Sequence, residues 1–263
     1  MPASALLRAT FLHLPGIGPA VEAELWHRGV RDWQELPGAV EGRAGLAGAI
    51  AASERALADG DVSWFGRRLP DRELWRLYPA FRRRTAFLDI ETTSLSPYDG
   101  IVTVVTVHGG GATRTFVADE NLEELPACLR GFPILVTFNG RRFDVPFLEA
   151  AFPQIVAPPI HIDLRFLLYR LGIAGGLKRI EATLGLGDRS GVEGVDGRAA
   201  VELWHAYRRG SPAALERLVR YNRADTTNLE PLLELAVREL FDRLPLARTS
   251  DAAAAGRLPI ASG

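Results

Sequence analysis

The chain has 263 residues, 47% of them hydrophobic and 24% charged, and 31 Lys and Arg against 32 Asp and Glu leave a net charge of −1. That composition excludes wholesale disorder and a histone-like, charge-driven nucleic-acid binder, and the length suits a main domain with a small companion. The one cysteine, Cys128, excludes an internal disulfide and a cysteine-based zinc site, and no stretch reads as a spanning segment or a secretory leader, so a cytoplasmic protein is expected.

Residues 1–70 read as a small helical domain. The turn Leu14-Pro15-Gly16-Ile17-Gly18-Pro19 precedes a helical stretch from Ala20 to Arg28, and an Ala- and Gly-rich helical segment runs from Ala39 to Ala58. Trp26 and Trp33 read as core anchors, because so small a module needs large apolar side chains. The stretch Trp64 to Arg84, with prolines at 70 and 79, carries few strand signals. Residues 71–245 read as a second, α/β domain. Strands are expected at Thr85–Glu91, Ile101–His108 and Arg114–Val117, with Gly109-Gly110-Gly111 as a hairpin turn. A helix at Leu122–Arg130, a strand at Ile134–Phe138, a helix from Phe143 to Ala151 and a short strand at Ile160–Asp163 follow. Helices then fill Leu164–Leu171, Leu177–Leu184, Ala199–Arg208 and Pro212 to about Phe241, where Pro231 should kink or split the last. Residues 246–263 read as a flexible tail. The order predicts a mixed sheet flanked by helices.

Asp89 and Glu91 stand two apart near the end of the first strand, so the period of two puts both carboxylates on one face and Leu88 and Ile90 on the other. Side-by-side carboxylates repel, and a divalent cation relieves that repulsion. Asp144 follows the fourth strand, and Asp225 lies on the last long helix one turn after Tyr221. Carboxylates and a phenol form an oxygen-only donor set, which suits Mg²⁺ or Mn²⁺ rather than Zn²⁺. Two such ions ~4 Å apart serve phosphodiester hydrolysis.

Asp-Ile-Glu-Thr-Thr at 89–93, Asn-Gly-x-x-Phe-Asp at 139–144 and Tyr-x-x-x-Asp at 221–225 resemble, in order, the three motifs of the DEDD exonucleases. Tyr221 matches the tyrosine subclass, since Arg220 stands where the histidine subclass has its His. His161-Ile162-Asp163-Leu164 and Gly175-Gly176-Leu177-Lys178-Arg179-Ile180-Glu181 resemble the YprB-type ribonuclease-H-like domain, and also the proofreading domain of family B DNA polymerases. The resemblance spans about residues 72 to 240. It implies a ribonuclease-H-like fold and a 3′–5′ exonuclease acting on a DNA or RNA 3′ end. It also implies a pair of Mg²⁺ or Mn²⁺ ions held by Asp89, Glu91, Asp144 and Asp225, and a nucleophilic water positioned by Tyr221. Two other readings stay open: a nucleic-acid-binding scaffold of the same fold, and a structure-specific endonuclease.

Further residues have two readings each. Thr92 and Thr93 can approach the terminal nucleotide, and Leu95 can wedge against a base, as the matching apolar residue does in similar exonucleases. Asn139 binds the substrate backbone or caps its turn. Arg141 and Arg142 touch substrate phosphates or lie on a solvated turn. Asp163 reads as a structural carboxylate rather than a fifth ligand. The 14–19 turn resembles the hairpin of a helix-hairpin-helix module, which implies backbone contact to a DNA phosphate at Gly16 and Gly18; without a basic residue after Gly18 it is equally a structural turn.

Overall fold

Short apolar stretches broken by Gly and Pro build short helices in the N-terminal part of the chain. The computed structural model describes residues 3–39, 45–153, 155 and 158–247. It places α1 at Ala5–Arg8, α2 at Pro19–His27, α3 at Leu36–Ala39, α4 at Leu46–Ala58, α5 at Val62–Gly66 and α6 at Tyr78–Phe81, with 3₁₀ turns at Trp33–Glu35 and Asp71–Leu77. The beginning of the expected 39–58 helix, residues 40–44, lies outside the described residues. Trp26 and Trp33 are core residues. Their indole N–H groups donate to the Ala9 and Thr10 carbonyls at 2.8 and 2.9 Å, so the polar edge of each buried ring is satisfied. Arg76 is buried between Glu22 (2.9 Å) and Glu73 (2.8 Å).

The described chain divides into two compact units. One holds the residues up to Phe81 and from Ala236 on; the other is Arg82–Leu235. This division falls later than residue 70, because Trp75, Leu77, Tyr78 and Phe81 are buried and the Phe81 ring lies 6.1 Å from that of Phe65. Residues 248–263, most of the expected tail, lie outside the described residues.

The second unit is built on a mixed five-stranded sheet: β1 (Thr85–Thr92), β2 (Val102–Gly109), β3 (Ala112–Val117), β4 (Ile134–Thr137) and β5 (Ile160–Asp163), in the order β3-β2-β1-β4-β5. β1 is central, antiparallel to β2 and parallel to β4. The glycine turn is a two-residue hairpin. Gly109 pairs with Ala112, and Gly110 and Gly111 take φ of 61° and 87°, which the twist-matched turn requires.

The remaining helices are α7 (Leu125–Leu129), α8 (Asp144–Ala151), α9 (Leu164–Arg170), α10 (Leu177–Leu184), α11 (Gly197–Arg208), α12 (Pro212–Thr227) and α13 (Leu229–Asp242). Ala86, Leu88 and Ile90 of β1 join a core with Leu125, Leu129, Phe147 and Leu148. On the other face Val104 and Val117 pack with Trp204, Leu218 and Tyr221. The expected long C-terminal helix is two helices broken at Asn228. Pro231 lies in the first turn of α13, where its missing N–H and its ring bar a bond to the carbonyl four residues back, Thr227. Among the described residues no helix is long and apolar enough to cross a membrane.

Candidate active site

Strand alternation sends Asp89 and Glu91 to the face of β1 on which α12 packs. The pairing of β1 with β2 shifts register between Glu91 and Thr92, so the regular ladder is interrupted just past the second carboxylate. Helical spacing brings Tyr221, Asn222 and Asp225 of α12 to the same place, all three buried. One carboxylate oxygen from each of Asp89, Glu91 and Asp225 lies within 4.8 Å of the others. Asp144, the first residue of α8, is buried, and its Oδ1 has no hydrogen-bond partner. It lies outside that three-residue group, but its charge helps raise the pKa of Asp89.

Crowded, buried carboxylates hold their protons more tightly. Burial, and next the charge of Asp225, raise Asp89 well above the usual carboxylate range and push Glu91 up to about 8. Burial pushes Asp144 up to about 7. Burial and then Asp225 raise the Tyr221 phenol, which therefore stays protonated at neutral pH. Oxygen-only donors, a buried carboxylate oxygen without a partner and mutual repulsion that is only partly offset are what a Mg²⁺- or Mn²⁺-binding set presents, so the residues fit such ions.

Two neighbours of the carboxylates are absent from the sequence reading. The Asn222 amide donates to Asp89 Oδ2 at 2.9 Å and lies 3.5 Å from Glu91 Oε1. The Tyr-Asn-x-x-Asp run itself carries that signal, because Asn222 shares a helix face with Asp225. Arg189 donates from Nη1 to Asp225 Oδ1 at 2.6 Å and from Nε to Glu181. It comes from the irregular connection between α10 and α11, where no periodicity announces it. The Lys178 ammonium, at the start of α10, lies 4.5 Å from the Tyr221 ring centre.

The other singled-out residues fall as follows. Thr92 donates to the Ser94 carbonyl (2.6 Å), and the Thr93 hydroxyl accepts from the Ile101 amide (3.0 Å), so both shape the loop after β1. Leu95 on that loop is 89% exposed. Asn139 takes a left-handed φ of 67°. Asp163 accepts the backbone N–H groups of Asn139, Arg141 and Arg165, which ties the 139–141 turn to the start of α9. Arg141 donates to the His161 carbonyl at 3.0 Å, and Arg142 is exposed. Gly16 (φ 73°) and Gly18 lie in the first unit, where Gly18 caps α2. Pro19 at the first position of α2 has no N–H, so that helix end offers one donor fewer to an anion.

Comparison with curated proteins finds no significant match. Among solved structures, the family B DNA polymerase of Pyrobaculum calidifontis is 18% identical with a TM-score of 0.47, and the match covers 57% of this chain and 24% of the polymerase. The chain thus spans about a quarter of that polymerase. Brucella melitensis NrnC with bound Mg²⁺ is 21% identical over 70% of this chain and 92% of NrnC, at a TM-score of 0.41. The same protein bound to pGG gives 22% identity over the same shares and a TM-score of 0.35. The RNase_H superfamily matches residues 86–237, more than half of the sequence and the part that carries the sheet, the carboxylates and α12. The chain belongs to the RNase_H superfamily.

Proposed function

We propose that the chain is a metal-dependent 3′–5′ exonuclease of the tyrosine DEDD type, hydrolysing terminal phosphodiester bonds of single-stranded or frayed nucleic acid. One observation carries this reading: Asp89 and Glu91 from the central strand meet Asp225 beside Tyr221 from α12, with ligand oxygens within 4.8 Å. Mg²⁺ or Mn²⁺, once held there, would supply a water of lowered pKa and positive charge near the leaving 3′ oxygen. Asp89, Glu91 and Asp225 would hold the cations, with Asp144 beside them. Tyr221 keeps its proton and orients the attacking water. Asn222 fixes the Asp89 carboxylate. Thr92, Thr93, Leu95, Asn139, Arg141 and Arg142 line the approach of the strand, and the 1–70 segment, through the backbone at Gly16 and Gly18, adds a contact to nucleic-acid phosphate.

The test is hydrolysis of 5′-labelled single-stranded DNA and RNA of one sequence in Mg²⁺, Mn²⁺ and EDTA. A ladder from the 3′ end that needs metal and vanishes in the Asp89→Ala/Asp225→Ala variant is expected. Tyr221→Phe should slow that ladder far less than loss of a carboxylate. Cleavage of a circular substrate would replace the exonuclease with an endonuclease, and metal binding without any cleavage would leave a scaffold.

A further inference from the structure

The described residues expose five large hydrophobic side chains, and these fall in only two segments: Leu95, Tyr98 and Ile101 after β1, and Phe166 and Tyr169 on α9. Phe166 and Tyr169 are 46% and 71% exposed and three residues apart, so they share one helix face. Both line a cleft of about 320 Å³ with Arg142, Arg165, Ile173 and Ile180. That volume lies at the small end of the range roughly 300–1,000 Å³ typical of ligand sites.

The polar side of the cleft is positive. Arg142 is exposed and makes no ion pair among the described residues. Arg165 is held by Asn139, whose Oδ1 accepts from its Nη1 at 2.6 Å. Exposed aromatic faces beside guanidinium groups suit an unpaired base with its phosphate: the rings stack on the base and the arginines meet the anion. A purely apolar partner surface would leave both arginines without a counter-charge. The cleft is also flanked by segments that carry site residues. Arg142 stands two residues before Asp144, and Ile180 two residues after Lys178, whose ammonium lies against the Tyr221 ring.

We propose that the cleft between α9 and α10 is a nucleobase subsite that holds one unpaired nucleotide of the strand being hydrolysed, a role that rests on the exonuclease reading above. Tyr169 and Phe166 supply the stacking surface, and Arg142 and Arg165 the phosphate contact. Such a subsite reads no sequence, because every base offers a π-face.

The probe is a fluorescein-labelled 12-nucleotide single strand, bound to the full chain in EDTA and followed by anisotropy. Strands with one abasic residue, moved stepwise from the 3′ end, are titrated alongside. Tyr169→Ala and Phe166→Ala should each weaken binding about tenfold, the size of a lost base stack. Each should also raise KM more than it lowers kcat. At one position the abasic residue should weaken wild-type binding by a similar factor and have no further effect in Tyr169→Ala. Unchanged binding in both variants, or an abasic penalty that persists in full in Tyr169→Ala, would overturn the subsite. Both side chains are exposed, so unfolding is not expected, and matching melting temperatures check this. If wild type binds in this pattern but hydrolyses nothing, the exonuclease reading fails and the subsite stands. If it hydrolyses the strand but the variants match it, the subsite fails alone.

Discussion

At Asp225, the charge balance depends on one residue. The carboxylates of Asp89, Glu91 and Asp225 repel one another. In the chain itself Arg189 answers the third directly, from 2.6 Å, while Asn222 answers the first only with a neutral amide. The guanidinium therefore offsets part of the repulsion until a cation arrives, and then competes with it for Asp225. Arg189→Met should lower the melting temperature of the metal-free protein, since removing one partner of a largely buried pair costs about 2–3 kcal/mol, or roughly 5–10 °C at this size. The same variant should need several-fold less Mg²⁺ for half-maximal thermal stabilisation. Titrating Mg²⁺ while following unfolding reads both effects. A variant with unchanged metal-free stability and weaker Mg²⁺ response would show instead that Arg189 serves to orient Asp225 for the ion.

Among the elements, the turn from β4 into α8 is the most constrained. Gly140 donates its N–H to Thr137 Oγ1 at 3.2 Å, and the same hydroxyl pairs with His161 Nε2 at 2.8 Å. A Cβ on Gly140 would stand 2.2 Å from Thr137 Oγ1 and 2.5 Å from Thr137 Cβ. Thr137 is fully buried, so it cannot move aside cheaply. Gly140→Ala should cost about 1–3 kcal/mol of stability by overpacking. It should also lower the hydrolysis rate, because the turn sets the position of Asp144. Gly197→Ala, whose Cβ meets nothing within 4 Å, is the control and should unfold like wild type. A Gly140→Ala protein as stable as that control would mean the turn adjusts. These elements were legible in the sequence. Period-two alternation marked Asp89 and Glu91, Asn-Gly marked the turn, and one helical turn joined Tyr221 to Asp225. Arg189 was not, because Gly185, Gly187, Gly191 and Gly194 give its loop a run of left-handed backbone without a period. The cleft on α9 was equally silent, since Phe166 and Tyr169 read as ordinary apolar positions until burial separates them from Leu167 and Leu168.

Over the whole molecule, two sets of buried groups respond to pH in opposite directions. Burial lowers His13 to about 3 and His161 to about 4, so the folded state holds them neutral. The stability they contribute is complete above the unfolded value of about 6.5 and is lost as pH falls from there toward 3–4. Glu91 and Asp144, raised to about 8 and about 7, behave in the opposite way. Their contribution is complete below the unfolded value of about 4 and is lost as pH rises through 7–8. At pH 6.5 the unfolded histidines are half charged and by pH 8 almost wholly neutral, so their opposing pH dependence fades across this window and the carboxylates come to dominate. In EDTA the unfolding free energy should therefore fall across that window by about 1 kcal/mol per pH unit, and the melting temperature with it. Mg²⁺ binds the deprotonated carboxylates, so its stabilising effect should grow over the same window and offset the fall. Unfolding curves at pH 6.5, 7.25 and 8, with EDTA and with Mg²⁺, decide the matter. A metal-free melting temperature that holds or rises across the window would show that the carboxylates are already charged in the folded chain, with Arg189 and Asn222 sufficient to hold them.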